Sequence, residues 1–192
     1  LKRLQRDHVD LVQIHESEQA GWDGVFGSGR TLEALRELRE QGAVTHIGLT
    51  GSDINLMGRI LQESDDFASV ITFLKYDMLV QEAKMHLVPI AAQQDVAVIL
   101  ASPLHHGLLG SKREAWRDEG RFSEVYDKLE RVESLLENRH LDCIDTGLRY
   151  LLSDSRVSIL LSGAATVSEI ETSASVSDGR ILSPKLIEEI EK

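Results

Sequence analysis

The chain has 192 residues, of which 42% are hydrophobic and 28% charged, a composition typical of a single globular domain with a substantial core. Its formal net charge of −11 argues against a general affinity for nucleic acid or anionic lipid, because phosphates would be repelled. No apolar run approaches the roughly 20 residues of a membrane-spanning helix, and no export signal is recognisable. We therefore expect a cytoplasmic protein with no membrane or nucleic-acid partner.

Short apolar runs rich in β-branched residues alternate with helical patterns along the chain. Strands are predicted over residues 9–14, 44–49, 69–74, 96–101 and 157–161, and helices over residues 31–41, 54–62, 82–94, 123–138, 141–152, 168–176 and 184–190. Because most connections are short and the strands are continuously apolar, this order predicts an α/β fold with a parallel sheet covered on both faces. The pattern alone leaves open a doubly wound sheet and a (β/α)8 barrel. No repeat or linker is present, so one domain over residues 1–192 is expected.

Capping residues support three of the predicted helix boundaries. Thr31 can cap the helix that follows it, and Gly42 can end that helix. Ser183 followed by Pro184 predicts the start of the last helix.

The ends of the predicted strands are the candidate functional positions, because active sites of parallel α/β folds lie at the carboxyl ends of strands. His15 follows the first strand and could bind a substrate oxygen or transfer a proton near neutral pH, although a histidine bonded to the backbone explains it equally well. Lys75 and Tyr76 follow the third strand. Adjacent strand residues point to opposite faces, so we expect at least one of them to pack.

Two strand-end segments have features of phosphate sites. Residues 102–110 form a glycine-containing loop with hydroxyl and amide donors, and residues 163–168 lead into a predicted helix N-terminus, where free N–H groups favour an anion. Such late-strand sites are frequent in (β/α)8 barrels. No GxGxxG or GxxxxGK[ST] pattern follows a strand, which disfavours the Rossmann and P-loop types of nucleotide site.

Other reactive residue types give weaker signals. His105 and His106, with His15, Glu16 and Glu18, are residue types that bind metals, but they lack a standard ligand spacing, so no metal site is predicted. The single cysteine, Cys143, cannot form an intrachain disulfide and fits a reducing compartment. It lies in an apolar helical pattern, which favours a packed thiol over a nucleophile.

Four segments resemble the aldo-keto reductase family. Residues 1–15, LKRLQRDHVDLVQIH, resemble the family pattern "SLxRLxxDYxDLxxIH", and residues 31–50, TLEALRELREQGAVTHIGLT, resemble its next helix and strand. Residues 102–110, SPLHHGLLG, are similar to "SPLxxGLLTG", and residues 161–173 are similar to the family's last glycine-containing strand end and helix. Their order and spacing match over nearly the whole chain, and this favours the barrel.

The resemblance implies a TIM barrel truncated to its last five βα units, with the N-terminal part expected upstream of Leu1. It implies an NAD(P)-dependent oxidoreductase that interconverts a carbonyl and an alcohol by hydride transfer, acting on an aldehyde, ketone or aldose. The aldose and galactose dehydrogenase branch is the most similar. The family's catalytic histidine matches His15, whereas its catalytic tyrosine, lysine and aspartate precede the fourth strand of the barrel.

The resemblance also implies a site for NADP, with NAD as the alternative. The pair that holds the nicotinamide amide falls on Thr50 and Gly51, and the stacking tyrosine falls on Ala101, so one amide and one π surface are lost. The remaining matches are Ser102, Leu104 and Gly107 in the pyrophosphate loop and Gly163, Ala164, Thr166, Glu169 and Ser173 in the adenosine element. The arginine that often binds a 2′-phosphate is not evident, which leaves the choice of cofactor open.

Two further hypotheses follow from these departures. Because an amide side chain is missing at Gly51 and an aromatic ring is missing at Ala101, the chain could be a nucleotide-binding regulatory barrel without efficient turnover. Five strands with two open sheet edges suggest an inactive fragment prone to pairing with another chain.

Overall fold

The computed structural model describes residues 1–192 and contains five strands, ten α-helices and three short 3-10 helices. The strands are β1 (Val9–Ile14), β2 (Val44–Gly51), β3 (Phe67–Phe73), β4 (Ala97–Ala101) and β5 (Val157–Leu161). The α-helices are α1 (Ser17–Phe26), α2 (Thr31–Glu40), α3 (Ile54–Glu63), α4 (Glu82–His86), α5 (Val88–Gln93), α6 (Arg113–Asp118), α7 (Tyr126–Glu137), α8 (Cys143–Leu152), α9 (Val167–Ser175) and α10 (Pro184–Glu191). The 3-10 helices span Lys2–Leu4, His105–Gly107 and Ser123–Val125.

The strands form one sheet in the order β1-β2-β3-β4-β5, so each strand lies beside its neighbours in sequence. β1 pairs in parallel with β2, with Ile14 opposite Leu49, and β2 pairs in parallel with β3, with Thr50 opposite Ile71. The predicted parallel sheet of five strands is therefore confirmed. Parallel pairing places the carboxyl ends of β1 and β2 side by side, so the residues that follow these two strands lie close together.

The chain divides into two compact units, and the boundary passes through β4. The first unit comprises Leu1–Thr72 and Ala83–Ile99. Its helices α1, α2 and α3 pack on β2, and α3 also packs on α5. The core of this unit consists of side chains that are fully buried, Ile47, Leu49, Met57, Ile60 and Leu61 among them. These come from β2 and α3, so the apolar face of α3 covers the central strand of the unit.

The second unit comprises Phe73–Glu82 and Leu100–Lys192. Here α8 packs on β5 and on α9. Its fully buried side chains include Met78, Leu108, Leu109, Leu129 and Leu151. A Cβ added to Gly147 of α8 would lie 3.2 Å from Met78 and 3.3 Å from Leu104, so the absence of a side chain there lets the loop after β4 approach the helix closely.

The predicted helix boundaries are confirmed at two of the three capped sites. Gly42, at φ 72°, follows α2, and its N–H donates to the carbonyl of Arg39. Ser183 Oγ accepts from the N–H of Leu186 at the start of α10, and Pro184 is the first helical residue. The prediction for Thr31 is wrong: Thr31 lies inside the helix, and Arg30 holds the cap position without a side-chain hydrogen bond.

Three helical features differ from the predicted elements. The sequence pattern did not indicate α1, because Gly21 interrupts it at φ 65° and weakens its helical periodicity. It also did not indicate α6, whose residues REAWRD are mostly charged. The helix predicted over residues 82–94 is two helices, because Pro89 lies in the first turn of α5 and cannot donate a hydrogen bond to the preceding turn. None of the helices is long and apolar enough to cross a membrane.

Candidate functional site

In the first unit, His15, Thr50 and Gly51 lie at the carboxyl ends of β1 and β2, as predicted. His15 is exposed. The hydroxyl of Thr50 donates to Gln13 Oε1 at 3.1 Å, and Gln13 Nε2 donates to Ser69 Oγ at 3.2 Å. This polar chain runs across β1, β2 and β3 and holds the Thr50 hydroxyl in place at the strand ends.

Glu18 occupies the space where a side chain at Gly51 would lie. A Cβ added to Gly51 would overlap Glu18 Oε2 and lie 3.0 Å from Ser17 Oγ. Glu18 Oε1 accepts from the N–H of Ser52 at 2.9 Å and from its hydroxyl at 2.7 Å. Glu18 Oε2 and Ser17 Oγ are buried without a hydrogen-bond partner. Gly51 lacks the amide side chain expected from the family resemblance, and the Glu18 carboxylate of α1 fills the space instead.

The Glu18 side chain is a carboxylate at neutral pH. Burial alone raises its pKa, but hydrogen bonds from the backbone and from Ser52, together with the nearby His15, hold the pKa below its ordinary value. From the sequence, Glu18 was considered only as a residue type that binds metals. Its position beside His15 depends on the packing of α1, which the sequence pattern did not reveal. No group of three or more His, Cys, Asp or Glu residues is placed to hold a metal ion.

In the second unit, the ends of β4 and β5 and the helix α9 line a cavity of 820 Å³. Ligand pockets are typically about 300–1,000 Å³, so this cavity is large enough for a nucleotide. Eight residues that the sequence matches to the family's cofactor site line it: Ala101, Ser102, Leu104, Gly107, Gly163, Ala164, Glu169 and Ser173. Thr166 is not part of the lining, and it caps α9 instead.

Lys112 is the only lysine or arginine that lines the cavity, and Glu169 is the only aspartate or glutamate. The Lys112 side chain packs against Gly107, where an added Cβ would lie 3.3 Å away, and its Nζ is 5.4 Å from the ring centroid of Trp116. His106 also lines the cavity, and burial, His105 and nearby cations lower its pKa, so it is neutral at pH 7. Lys112 therefore supplies the positive charge for an anion.

The loop after β4 uses most of its amide donors internally. The N–H groups of Gly107, Leu108, Leu109, Gly110 and Lys112 all donate to carbonyls within the loop. An anion bound here would therefore be held mainly by the Lys112 ammonium and by the hydroxyls of Ser102 and Ser111, which also line the cavity. The sequence predicts hydroxyl and amide donors in this loop, and the structure leaves mainly the hydroxyls available.

A buried carboxylate anchors the same loop. Asp77 is fully buried, and its Oδ2 lies 2.8 Å from His105 Nδ1, while His105 is 3% exposed. Its Oδ1 accepts from the N–H groups of Leu79 at 2.7 Å and Val80 at 3.1 Å. A carboxylate with three partners is a strong anchor in a dry environment, so Asp77 holds the first turn of the loop in position.

At the other side of the cavity, the N-terminus of α9 carries a capping box. Thr166 Oγ1 accepts from the N–H of Glu169 at 3.2 Å. Glu169 Oε2 accepts in return from the N–H groups of Ala165 at 2.7 Å and Thr166 at 3.2 Å. The hydroxyls of Ser162 and Ser173, which also line the cavity, lie 2.9 Å apart. Two amides of the predicted anion-binding segment, those of Ala165 and Thr166, are thus bound to a carboxylate of the chain itself.

The three tyrosines and the cysteine are structural. Tyr76 donates to Asp154 at 3.0 Å, Tyr150 donates to Glu191 at 2.7 Å, and the Tyr126 hydroxyl donates to backbone carbonyls. Burial, together with the neighbouring carboxylates, raises the pKa of Tyr76 and Tyr150 above its ordinary range. Burial also raises the pKa of the Cys143 thiol to about 11, so this thiol is not an activated nucleophile.

Comparison with known proteins decides the family. The model of the Aldo/keto reductase family matches residues 1–192, the full length of the chain. The chain belongs to the aldo/keto reductase family. The predicted resemblance is thereby confirmed, and the family is one of oxidoreductases.

Similar members of the aldo/keto reductase family include two sugar dehydrogenases. D-threo-aldose 1-dehydrogenase of Pseudomonas sp. is 24% identical over 90% of this chain and 53% of its own length. L-galactose dehydrogenase of Arabidopsis thaliana is 25% identical over 89% of this chain and 53% of its own length. The chain thus spans about half the length of these curated relatives.

A solved structure confirms the fold. The apo form of an aldo-keto reductase from Bacillus halodurans matches with a TM-score of 0.82 and 24% identity, over 100% of this chain and 64% of that protein. The fold of this chain therefore matches part of the fold of that aldo-keto reductase.

Proposed function

We propose that the protein containing this chain is an NAD(P)-dependent oxidoreductase that interconverts a carbonyl and an alcohol. The observation that carries the proposal is the 820 Å³ cavity at the ends of β4 and β5. Eight positions expected to bind or face the cofactor line it, together with one ammonium group suited to a diphosphate. Family membership supports the reaction class, and the cavity supports the nucleotide.

We further propose that β1 to β5 correspond to the fourth to eighth strands of a (β/α)8 barrel. The strand order and the 53–64% share of the sugar dehydrogenases and of the Bacillus structure that the chain covers support this correspondence. The single domain over residues 1–192 and the cytoplasmic location stay predictions.

The residues of the cavity fit a dinucleotide. When bound, the nicotinamide would donate a hydride to the substrate carbon as NAD(P)H or accept one from it as NAD(P)+. Lys112 binds the diphosphate, and Ser102 adds a hydroxyl donor. Gly163, Ala164 and Ser173 accommodate the adenosine end, where small side chains leave room for a ring and a sugar.

At the strand ends of the first unit, His15 acts on the substrate. Its exposed imidazole can hydrogen-bond a carbonyl or hydroxyl oxygen of the substrate. Thr50 offers a fixed hydroxyl to the nicotinamide amide. Because each tyrosine hydroxyl of the chain already donates to an internal acceptor, we assign none of them as the proton donor.

The substrate class that we propose is an aldose or a related small carbonyl compound. The similarity to an aldose dehydrogenase and a galactose dehydrogenase supports this class. To test the proposal, the purified protein is titrated with NADH and NADPH and then assayed for oxidation of a panel of aldoses and for reduction of aldehydes and ketones. Nucleotide binding with turnover is the expected result, and absence of nucleotide binding would contradict the proposal.

A regulatory nucleotide-binding barrel is the second candidate. Two observations favour it: Ala101 lines the cavity where the family has a stacking ring, and Gly51 presents no amide at the end of β2. Tight nucleotide binding without turnover of any substrate in the panel is the result expected for this candidate.

A further inference from the structure

Three residues, one on each of β1, β2 and β3, lie side by side in the sheet of the first unit. Gln13 of β1 lies opposite Gly48 of β2, and Gly48 lies opposite Ser69 of β3. A Cβ added to Gly48 would lie 2.5 Å from both Gln13 Oε1 and Ser69 Oγ. Gln13 Nε2 donates to Ser69 Oγ at 3.2 Å. The glycine therefore leaves the room in which one long polar side chain reaches across the neighbouring strand.

The oxygen of the Gln13 side chain takes the hydrogen of the Thr50 hydroxyl. Thr50 Oγ1 donates to Gln13 Oε1 at 3.1 Å. With its nitrogen donating to Ser69, Gln13 presents this oxygen to Thr50. A threonine hydroxyl has one hydrogen and two lone pairs, so a hydroxyl whose hydrogen is already used can only accept from a further partner. The Thr50 oxygen is thus an acceptor at the end of β2.

Thr50 offers the one polar side chain of the pair at this strand end. Gly51, the next residue, has no side chain, and Glu18 Oε2 fills the space that one would take. A primary amide such as that of nicotinamide has an N–H₂ group that donates and a carbonyl that accepts. An oxygen that only accepts binds the N–H₂ group and offers nothing to the carbonyl. The Thr50 oxygen therefore distinguishes the two ends of an amide.

We propose that Gln13 is a positioning residue that acts through Thr50 and makes its hydroxyl an acceptor for the N–H₂ group of the nicotinamide amide. The inference rests on the proposed function, because it assumes that a nicotinamide lies at the end of β2. Without Gln13, the Thr50 hydroxyl is free to donate as well as to accept, so the preference for an N–H₂ group is lost. A residue of β1 thereby sets the polarity of a hydrogen bond made by β2.

The test compares ligands that differ at the amide. Isothermal titration calorimetry with the purified protein gives the dissociation constants of NAD and NADP, of the 3-acetylpyridine analogue of the tighter of the two, and of the matching ADP-ribose, which has no nicotinamide ring. The analogue carries a methyl group in place of the N–H₂ group. We expect the dinucleotide to bind about three- to tenfold more tightly than the analogue, which corresponds to one neutral hydrogen bond.

Two substitutions release the Thr50 hydroxyl by different routes. Gln13→Leu removes its acceptor, and Ser69→Ala removes the group that holds the Gln13 amide in its orientation. In both variants, the affinities for the dinucleotide and the analogue should become nearly equal, because the freed hydroxyl can donate to the carbonyl of either ligand. The affinity for ADP-ribose should not change.

Substitutions at Thr50 show whether Gln13 acts through it. Thr50→Ser keeps the hydroxyl and should keep the ratio of the two affinities, whereas Thr50→Val should abolish the ratio. Adding Gln13→Leu to Thr50→Val should have no further effect on the ratio. Gln62→Leu, a change at an exposed residue of α3, is the matched control and should leave all the affinities unchanged.

Circular dichroism checks that each variant is folded. Equal or tighter binding of the analogue by the unmodified protein would overturn the inference but not the proposed function. A ratio that persists in folded Gln13→Leu or Ser69→Ala would do the same, as would an equal loss of affinity for ADP-ribose and for the dinucleotide. If none of the ligands binds to the unmodified protein, the proposed function fails and the inference fails with it.

Discussion

At the scale of single residues, two carboxylates hold the candidate site: Asp77, which is fully buried, and Glu18, whose Oε2 atom is buried. Asp77 in the second unit and Glu18 in the first each use one oxygen to accept from backbone N–H groups near a strand end. Each also has a histidine nearby: His105 bonds to Asp77, and His15 lies close to Glu18. Such groups are costly to bury unless they are paired, so their removal should have measurable consequences.

Replacing Asp77 tests the anchor of the cavity loop. Asp77→Asn removes the charge and places an N–H₂ group against His105 or the two backbone donors, so one buried donor loses its acceptor. We expect a loss of about 1.5–3 kcal/mol in the free energy of unfolding, measured by urea denaturation at neutral pH. Asp118→Asn, a change at an exposed residue of α6, is the control and should have little effect. An unchanged midpoint in Asp77→Asn would show that Asp77 is not an anchor.

A substitution at Gly51 tests whether the Glu18 carboxylate fills the space beside it. In Gly51→Ala, the new methyl group would overlap the Glu18 carboxylate, which must then leave its bonds to Ser52. We expect a destabilisation of about 1–3 kcal/mol by the same measurement. Gly163→Ala is a suitable control, because a Cβ there meets no atom within 4 Å. Equal stability of the two variants would contradict the placement of Glu18.

At the scale of elements, one carboxylate connects a helix to the start of a strand. Asp66, which precedes β3, accepts from Arg36 Nε of α2 at 2.9 Å and from Arg39 Nη2 at 2.5 Å. Ser64 Oγ also donates to it at 2.6 Å. Asp66 is 13% exposed in its side chain, so this is more than a surface ion pair. Although burial raises its pKa, the bonds from Arg36, Ser64 and Arg39 hold the pKa well below its ordinary range.

This pKa gives a direction for the pH dependence of stability. Because the pKa of Asp66 is lower in the folded state than in the unfolded chain, its contribution is fully present above the unfolded value of about 3.9. The contribution is lost as the pH falls through the folded value. We expect Asp66→Asn to cost about 2 kcal/mol at pH 7 and progressively less in acid, as measured by urea denaturation across pH. A cost that is independent of pH would contradict this assignment.

At the scale of the whole molecule, the two outer strands of the sheet each have an unpaired edge. β1 and β5 each have a neighbour on one side only. Three apolar side chains on these strands are exposed, Leu11 at 39%, Ile159 at 49% and Leu161 at 46%. Open strand edges with apolar side chains favour pairing with another chain.

We therefore expect the purified 192-residue chain to self-associate, with a sedimentation coefficient that rises with protein concentration. Leu161→Lys should reduce the association, because a charge on an edge strand opposes pairing. Ile181→Lys is the control, because Ile181 is 67% exposed and lies outside the sheet. A monomer at all concentrations that unfolds cooperatively would contradict the prediction, and with it the hypothesis of an inactive fragment.

The sequence predicted most of the elements because their signals are local. β1 and β5 have the predicted bounds, and the caps at Gly42 and Ser183 depend on neighbouring residues alone. The helices α1 and α6 were not predicted, because one contains a glycine with positive φ and the other is highly charged. Their stability in the fold comes from packing and ion pairs such as Arg113 with Glu133, which lie far apart in sequence.

The candidate cavity was predictable in part. The residues that follow β4 and β5 could be named, because strand ends are visible in an apolar pattern and the family motifs lie there. The hydrogen bonds that these residues make could not be derived from the sequence. Glu169 could be matched to the adenosine element of the family, but only the geometry shows that its carboxylate accepts from the N–H groups of Ala165 and Thr166.

The sequence by itself determined the order of strands and helices, the parallel sheet and the family, because these follow from periodicity and motif order along the chain. Only the tertiary structure decided the electrostatics of the site. It placed Glu18 in the space beside Gly51, made Lys112 the single cation of the cavity, and left Glu169 as its single acid. These facts depend on distances between side chains from different segments, which a linear pattern does not contain.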